Sequence, residues 1–148
     1  MRKEWFVLIF LVFVLFVSSC SSEDESKNFE KKLNDLLSQI VVELKSPRKI
    51  SLTPRTFIEL NAILMVSNYM WTKSFLNSST NPSSDILEQY RNEKKKELLS
   101  QFEITVEEFE NYSIKNYKAL QEFSEQNPEI IQKYNELSAL LPTLFEDF

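Results

Sequence analysis

Apolar residues run without a break from Trp5 to Val17, and from Phe29 onward they recur at the three-and-four spacing of a helix. No stretch alternates long enough for a half-buried strand. The pattern predicts an all-α chain, a small bundle of about five helices with up-and-down character. The first helix is expected from about Phe29 to Leu44, with Leu33, Leu36, Leu37, Ile40 and Leu44 on one face. Pro47 would stop it by disfavouring helical dihedrals in Ser46. The second starts at Thr53-Pro54, an N-cap followed by proline in the first helical position, with Leu52 placed to pack on Phe57. It runs to about Leu76 and is apolar nearly all round, which belongs in the middle of a bundle. Glu59, Asn61, Asn68 and Lys73 argue against a membrane span there.

Asn77 to Pro82 reads as a loop in which Asn takes the left-handed conformation that other chains give to Gly. A third helix is expected from about Ser84 to Phe102, its charged middle, Arg91 to Glu97, facing solvent. Thr105 and Glu108 have capping-box spacing, with Ile104 and Phe109 as the staple, and predict a fourth helix from Val106 to about Ser124. Its inward stripe is Phe109, Tyr112, Asn116, Tyr117, Leu120 and Phe123. Asn127-Pro128 opens a fifth, which Pro142 ends, and Thr143 to Phe148 reads either as a docking tail or as a disordered end.

The N-terminus changes the picture. Arg2 and Lys3 precede the 13-residue apolar run, and small polar residues follow it, in the order of an export signal. A bilayer core about 30 Å thick needs roughly 20 helical residues to cross, so the run suits a signal better than a span. Val17-Ser18-Ser19-Cys20, directly after the run and around the only cysteine, resembles the lipobox of bacterial lipoproteins, in the looser form found in spirochaetes. The resemblance covers four residues and their position. It implies diacylglycerol transfer to the Cys20 sulfur, cleavage after Ser19 and a mature protein held at a membrane by its lipid. The expected organisation is a cleaved signal over 1–19, lipidated Cys20 with a flexible acidic tether over 20–28, and a helical domain over 29–148. The expected location is the cell membrane or the outer membrane, facing the periplasm or the exterior. Ser21 rather than Asp after the cysteine would favour the outer membrane by the sorting rules of enteric bacteria.

Composition narrows the chemistry. The chain has a net charge of −5 and would carry −6 after loss of residues 1–19, which repels nucleic acid. It contains no His, no Gly and a single Cys. The absence of His removes the commonest general base and metal ligand, and the absence of Gly removes phosphate-cradling loops and the nucleophile elbow. With Cys20 acylated, no thiolate is left for metal binding or covalent catalysis. No cofactor is expected, and oligomeric state is not legible.

Two constellations remain. Tyr69, Trp71, Phe75, Tyr112 and Tyr117 could line a groove for an apolar ligand or a protein partner, since a tyrosine hydroxyl on an inward stripe wants water or a partner nearby. They could equally fill a core. Glu107, Glu108 and Glu110, with Glu59, could supply paired carboxylates for an envelope hydrolase. Helix-start chemistry explains Glu108, however, and an i,i+4 pair with Arg55 explains Glu59. Lys94-Lys95-Lys96 could be a binding patch or a solvated face. The sequence therefore leads to a non-enzymatic binding or structural module, with a chaperone-like helper and a carboxylate hydrolase as alternatives.

Overall fold

A computed structural model describes residues 23–79 and 83–141. The signal segment, Cys20 and the tail from residue 142 lie outside the described residues. The chain divides into two compact units, residues 1–34 and 35–148.

Six helices occur among the described residues, and no strand. They are α1 (Glu23–Ile40), α2 (Pro54–Ser78), α3 (Ser84–Ser100), α4 (Val106–Lys115), α5 (Tyr117–Gln126) and α6 (Pro128–Leu140). Two boundaries of α1 depart from the sequence expectation. It begins at Glu23, inside the expected flexible tether, because Glu-Asp-Glu-Ser-Lys-Asn contains no Pro, Gly or β-branched residue to interrupt a helix. It ends at Ile40, four residues early, for a reason that lies in α2 and is given below. In the first unit, Leu33 is fully buried on α1.

The second unit is a helical bundle around α2. That helix packs against α3, α5 and α6, and no residue from Pro54 to Lys73 is fully exposed. Its start follows the sequence reading. The Thr53 hydroxyl accepts the Thr56 N–H, and the Thr56 hydroxyl accepts the Thr53 N–H at 2.8 Å, closing a capping box in which threonine stands in for the usual Glu or Gln. The core cluster joins Leu44, Phe57, Leu60 and Leu64 to Leu99, Phe102, Ile104 and Phe109. Each such side chain contributes about 1.5–3 kcal/mol by leaving water.

Helix ends in this glycine-free chain use two devices. At the end of α3 the Ile104 N–H reaches the Leu99 carbonyl and the Glu103 N–H reaches that of Ser100, a Schellman motif. Glu103 occupies the left-handed position with φ 56°, the one positive φ among the described residues. The asparagines act differently from the expectation. α2 continues through Asn77 and Ser78, and Ser79 is extended. Asn116 and Asn127 have negative φ and donate a side-chain N–H to the carbonyl four residues back, Tyr112 and Phe123 respectively. An asparagine amide that bonds its own backbone competes with the helix ladder. The expected single helix after Val106 is accordingly broken at Asn116 into α4 and α5.

Candidate functional site

Glu59, the acid in the apolar second helix, is fully buried. Its Oε1 accepts the Arg55 Nε–H at 2.6 Å, and its Oε2 accepts the backbone N–H groups of Glu43 and Leu44, each at 2.9 Å. The Arg55 guanidinium also donates from Nη2 to the Ile40 carbonyl at 3.0 Å. One ion pair on α2 therefore satisfies the last turn of α1 and the two N–H groups just beyond it, which is why α1 stops at Ile40. Both carboxylate oxygens are engaged, so Glu59 holds backbone rather than facing a substrate. The sequence exposed the Arg55–Glu59 spacing but not the partners 15 and 16 residues away.

The other acids do not form a pair across a cleft. Glu107, Glu108 and Glu110 are exposed. Glu108 closes the expected capping box, accepting the Thr105 N–H and hydroxyl at 2.8 Å each, and these bonds hold its carboxyl below the usual value of 4.5. Glu110 pairs with Lys95 at 2.7 Å. Among the described residues no group of three His, Cys, Asp or Glu side chains is placed to hold a metal ion.

The five groove candidates separate. Phe57 stacks on both Phe109 and Tyr112, with ring centroids 4.9 and 5.0 Å apart, and this packing raises the Tyr112 pKa by desolvation. Trp71 packs against the same core, and Phe75 lies 5.3 Å from Tyr90 toward the other end of α2. Tyr69 is half-buried on α2. Tyr117, expected inward, is 68% exposed, because the break at Asn116 shifts the phase of the stripe it would have joined. The aromatics therefore fill the interior or stand outside it, and no single concavity collects them.

Lys94 and Lys95 are neither a bare patch nor simply solvated. Lys95 bridges α3 to α4, with Glu110 on one side and the Phe109 ring 5.8 Å away on the other. Lys94 pairs with Glu97 at 2.7 Å and lies 5.9 Å from the Tyr90 ring, and the Glu97 hydrogen bond raises its pKa. Sequence reasoning missed a second cross-helix bond. Asn61 donates from Nδ2 to the Tyr134 hydroxyl at 2.7 Å, tying α2 to α6. Burial raises the Tyr134 pKa although that bond works against the shift.

Two surface features are left. A shallow, open groove of about 540 Å³ runs along α6, lined by Ser124, Pro128, Ile131, Gln132, Asn135, Glu136 and Ala139. At the α4–α5 break, Ile114 and Tyr117 are 78% and 68% exposed. No helix among the described residues is long and apolar enough to cross a membrane.

The fold and its surfaces define a small all-helical bundle protein. No family model, no curated protein and no solved structure matches the chain.

Proposed function

We propose that the chain is a cell-envelope lipoprotein, lipid-anchored through Cys20, whose helical domain acts by surface contact as a non-enzymatic binding or structural module. The observation that carries this reading is the placement of Val17-Ser18-Ser19-Cys20 directly behind a 13-residue apolar run, around the only cysteine. Each buried acyl methylene contributes about 0.8 kcal/mol, so two or three chains hold a protein at a bilayer where one would not. Surface contact is favoured because Glu59 and the central aromatics are engaged inside the bundle.

The test is membrane fractionation and protease shaving of cells expressing the native gene, with a Cys20→Ala control. The reading expects the wild type with membranes and the control released from acyl anchoring, visible as loss of fatty-acid labelling. Removal by shaving would direct the partner search outward, and protection would direct it to the periplasm. Equal membrane association without fatty-acid label in the wild type would overturn the reading.

A further inference from the structure

We infer that the α4–α5 elbow is a second membrane contact, seating Ile114 and Tyr117 among the headgroups of an anionic bilayer while Lys115 and Lys118 meet lipid phosphates. Both apolar side chains are well exposed, at 78% and 68%, and neither serves the fold. Isoleucine is a weaker helix former than Ala, Lys or Glu at a solvent-facing position. A tyrosine outside the core gains nothing from packing. Residues that break local rules without structural return mark functional positions.

The charges follow the same logic. Lys115 and Lys118 are the only charged residues from Asn111 to Gln121, in a chain of net charge −5. The nearest acid before them, Glu110, is occupied by Lys95. Lys115 lies in the last turn of α4, where the helix dipole favours a cation. Lys118 lies in the first turn of α5, where the dipole opposes one, and no acid in that turn offsets it.

An exposed aliphatic residue, an aromatic with a polar tip and two lysines are the composition of a bilayer interface. Charge selects the occupant. An anionic lipid surface complements the lysines, whereas a second elbow would bring four of them together. Two apolar side chains and two cations bind weakly alone, so the contact operates on a chain already held at the surface. In that respect it rests on the anchor proposed above.

The test uses the full chain, processed in a lipoprotein-exporting host and reconstituted into phosphatidylcholine vesicles with or without phosphatidylglycerol. A polarity-sensitive fluorophore is attached to Ile114→Cys, or to Ser138→Cys on exposed α6 as control. The expected result is a blue-shifted emission at 114, quenched by spin-labelled lipid, in the phosphatidylglycerol vesicles. Lys115→Gln with Lys118→Gln should abolish the shift, and position 138 should not show it. Emission at 114 that is indifferent to phosphatidylglycerol overturns the inference, as does a shift that follows protein concentration and not lipid, which would mean self-association. Labelling of the chain without an added cysteine reads out the anchor separately, since an acylated Cys20 sulfur does not react. If that labelling occurs, the Cys20→Ala chain carrying Ile114→Cys is judged by the same emission criteria.

Discussion

Removing the Glu59 carboxylate should be among the most damaging single changes outside the apolar core. Glu59→Ala deprives the N–H groups of Glu43 and Leu44 of their acceptor and leaves Arg55 without its partner. Hydrogen bonds to a charged group contribute about 1.5–3 kcal/mol each, and breaking a buried pair costs about 3–5 kcal/mol. The two overlap, and the Arg55 side chain is 20% exposed and can turn to water, so the expected loss is about 3 kcal/mol. With a urea dependence of about 2 kcal/mol per molar, the unfolding midpoint should fall by about 1.5 M. The discriminating variant combines Arg55→Met with Glu59→Leu. An ordinary buried ion pair can be replaced by apolar residues at little cost. Here the two backbone N–H groups stay orphaned, so the double variant should still be about 2 kcal/mol less stable than wild type. Urea unfolding followed by circular dichroism on the chain without residues 1–20 measures both. A single variant losing under about 1 kcal/mol, or a double variant as stable as wild type, would refute the backbone-holding role.

Three further outcomes follow from named contacts. Glu103→Gly should stabilise by about 0.5–1 kcal/mol, since relief at the left-handed position outweighs the added freedom of glycine in the unfolded chain and the exposed pair with Lys49; any destabilisation would contradict this. Glu108 has a lowered folded pKa, so its contribution is present above the ordinary value of 4.5 and lost as pH falls through the lowered one. The stability gap between wild type and Glu108→Gln should therefore close on acidification, as read by thermal melts across that range. Tyr134 has a raised folded pKa, so its contribution is full below the ordinary value of 10 and lost as pH rises through the raised one. Tyr134→Phe should cost about 1 kcal/mol at neutral pH by leaving Asn61 unpaired, and the gap should narrow in alkali.

Much of the fold was legible because it is local. Thr53-Pro54 and the Thr105–Glu108 box announce their helices within four residues, and the apolar circumference of α2 announces its central place. The break at Asn116 was not legible, since one asparagine on an unbroken apolar period looks like any other polar position until its amide is seen on the Tyr112 carbonyl. Tyr117 was misplaced as a consequence. Glu59 was visible as an i,i+4 partner of Arg55, but its main work is on a segment distant in sequence. Lys94 and Lys95 looked like a charge run because spacing along one helix cannot show which rings and acids a neighbouring helix presents.

The arrangement around Glu59 also determines how load would travel through a chain held by its N-terminus. Tension entering along α1 leaves helical structure at Ile40, where the backbone is gripped by Arg55 at one carbonyl and by Glu59 at two amides. These bonds join the strained segment sideways to α2, the best-buried helix of the second unit, so a pull is passed to the bundle through a clamp and not through the unsupported loop that follows. Amide exchange at Glu43 and Leu44, slow for a stretch without regular structure, would report the state of that clamp directly.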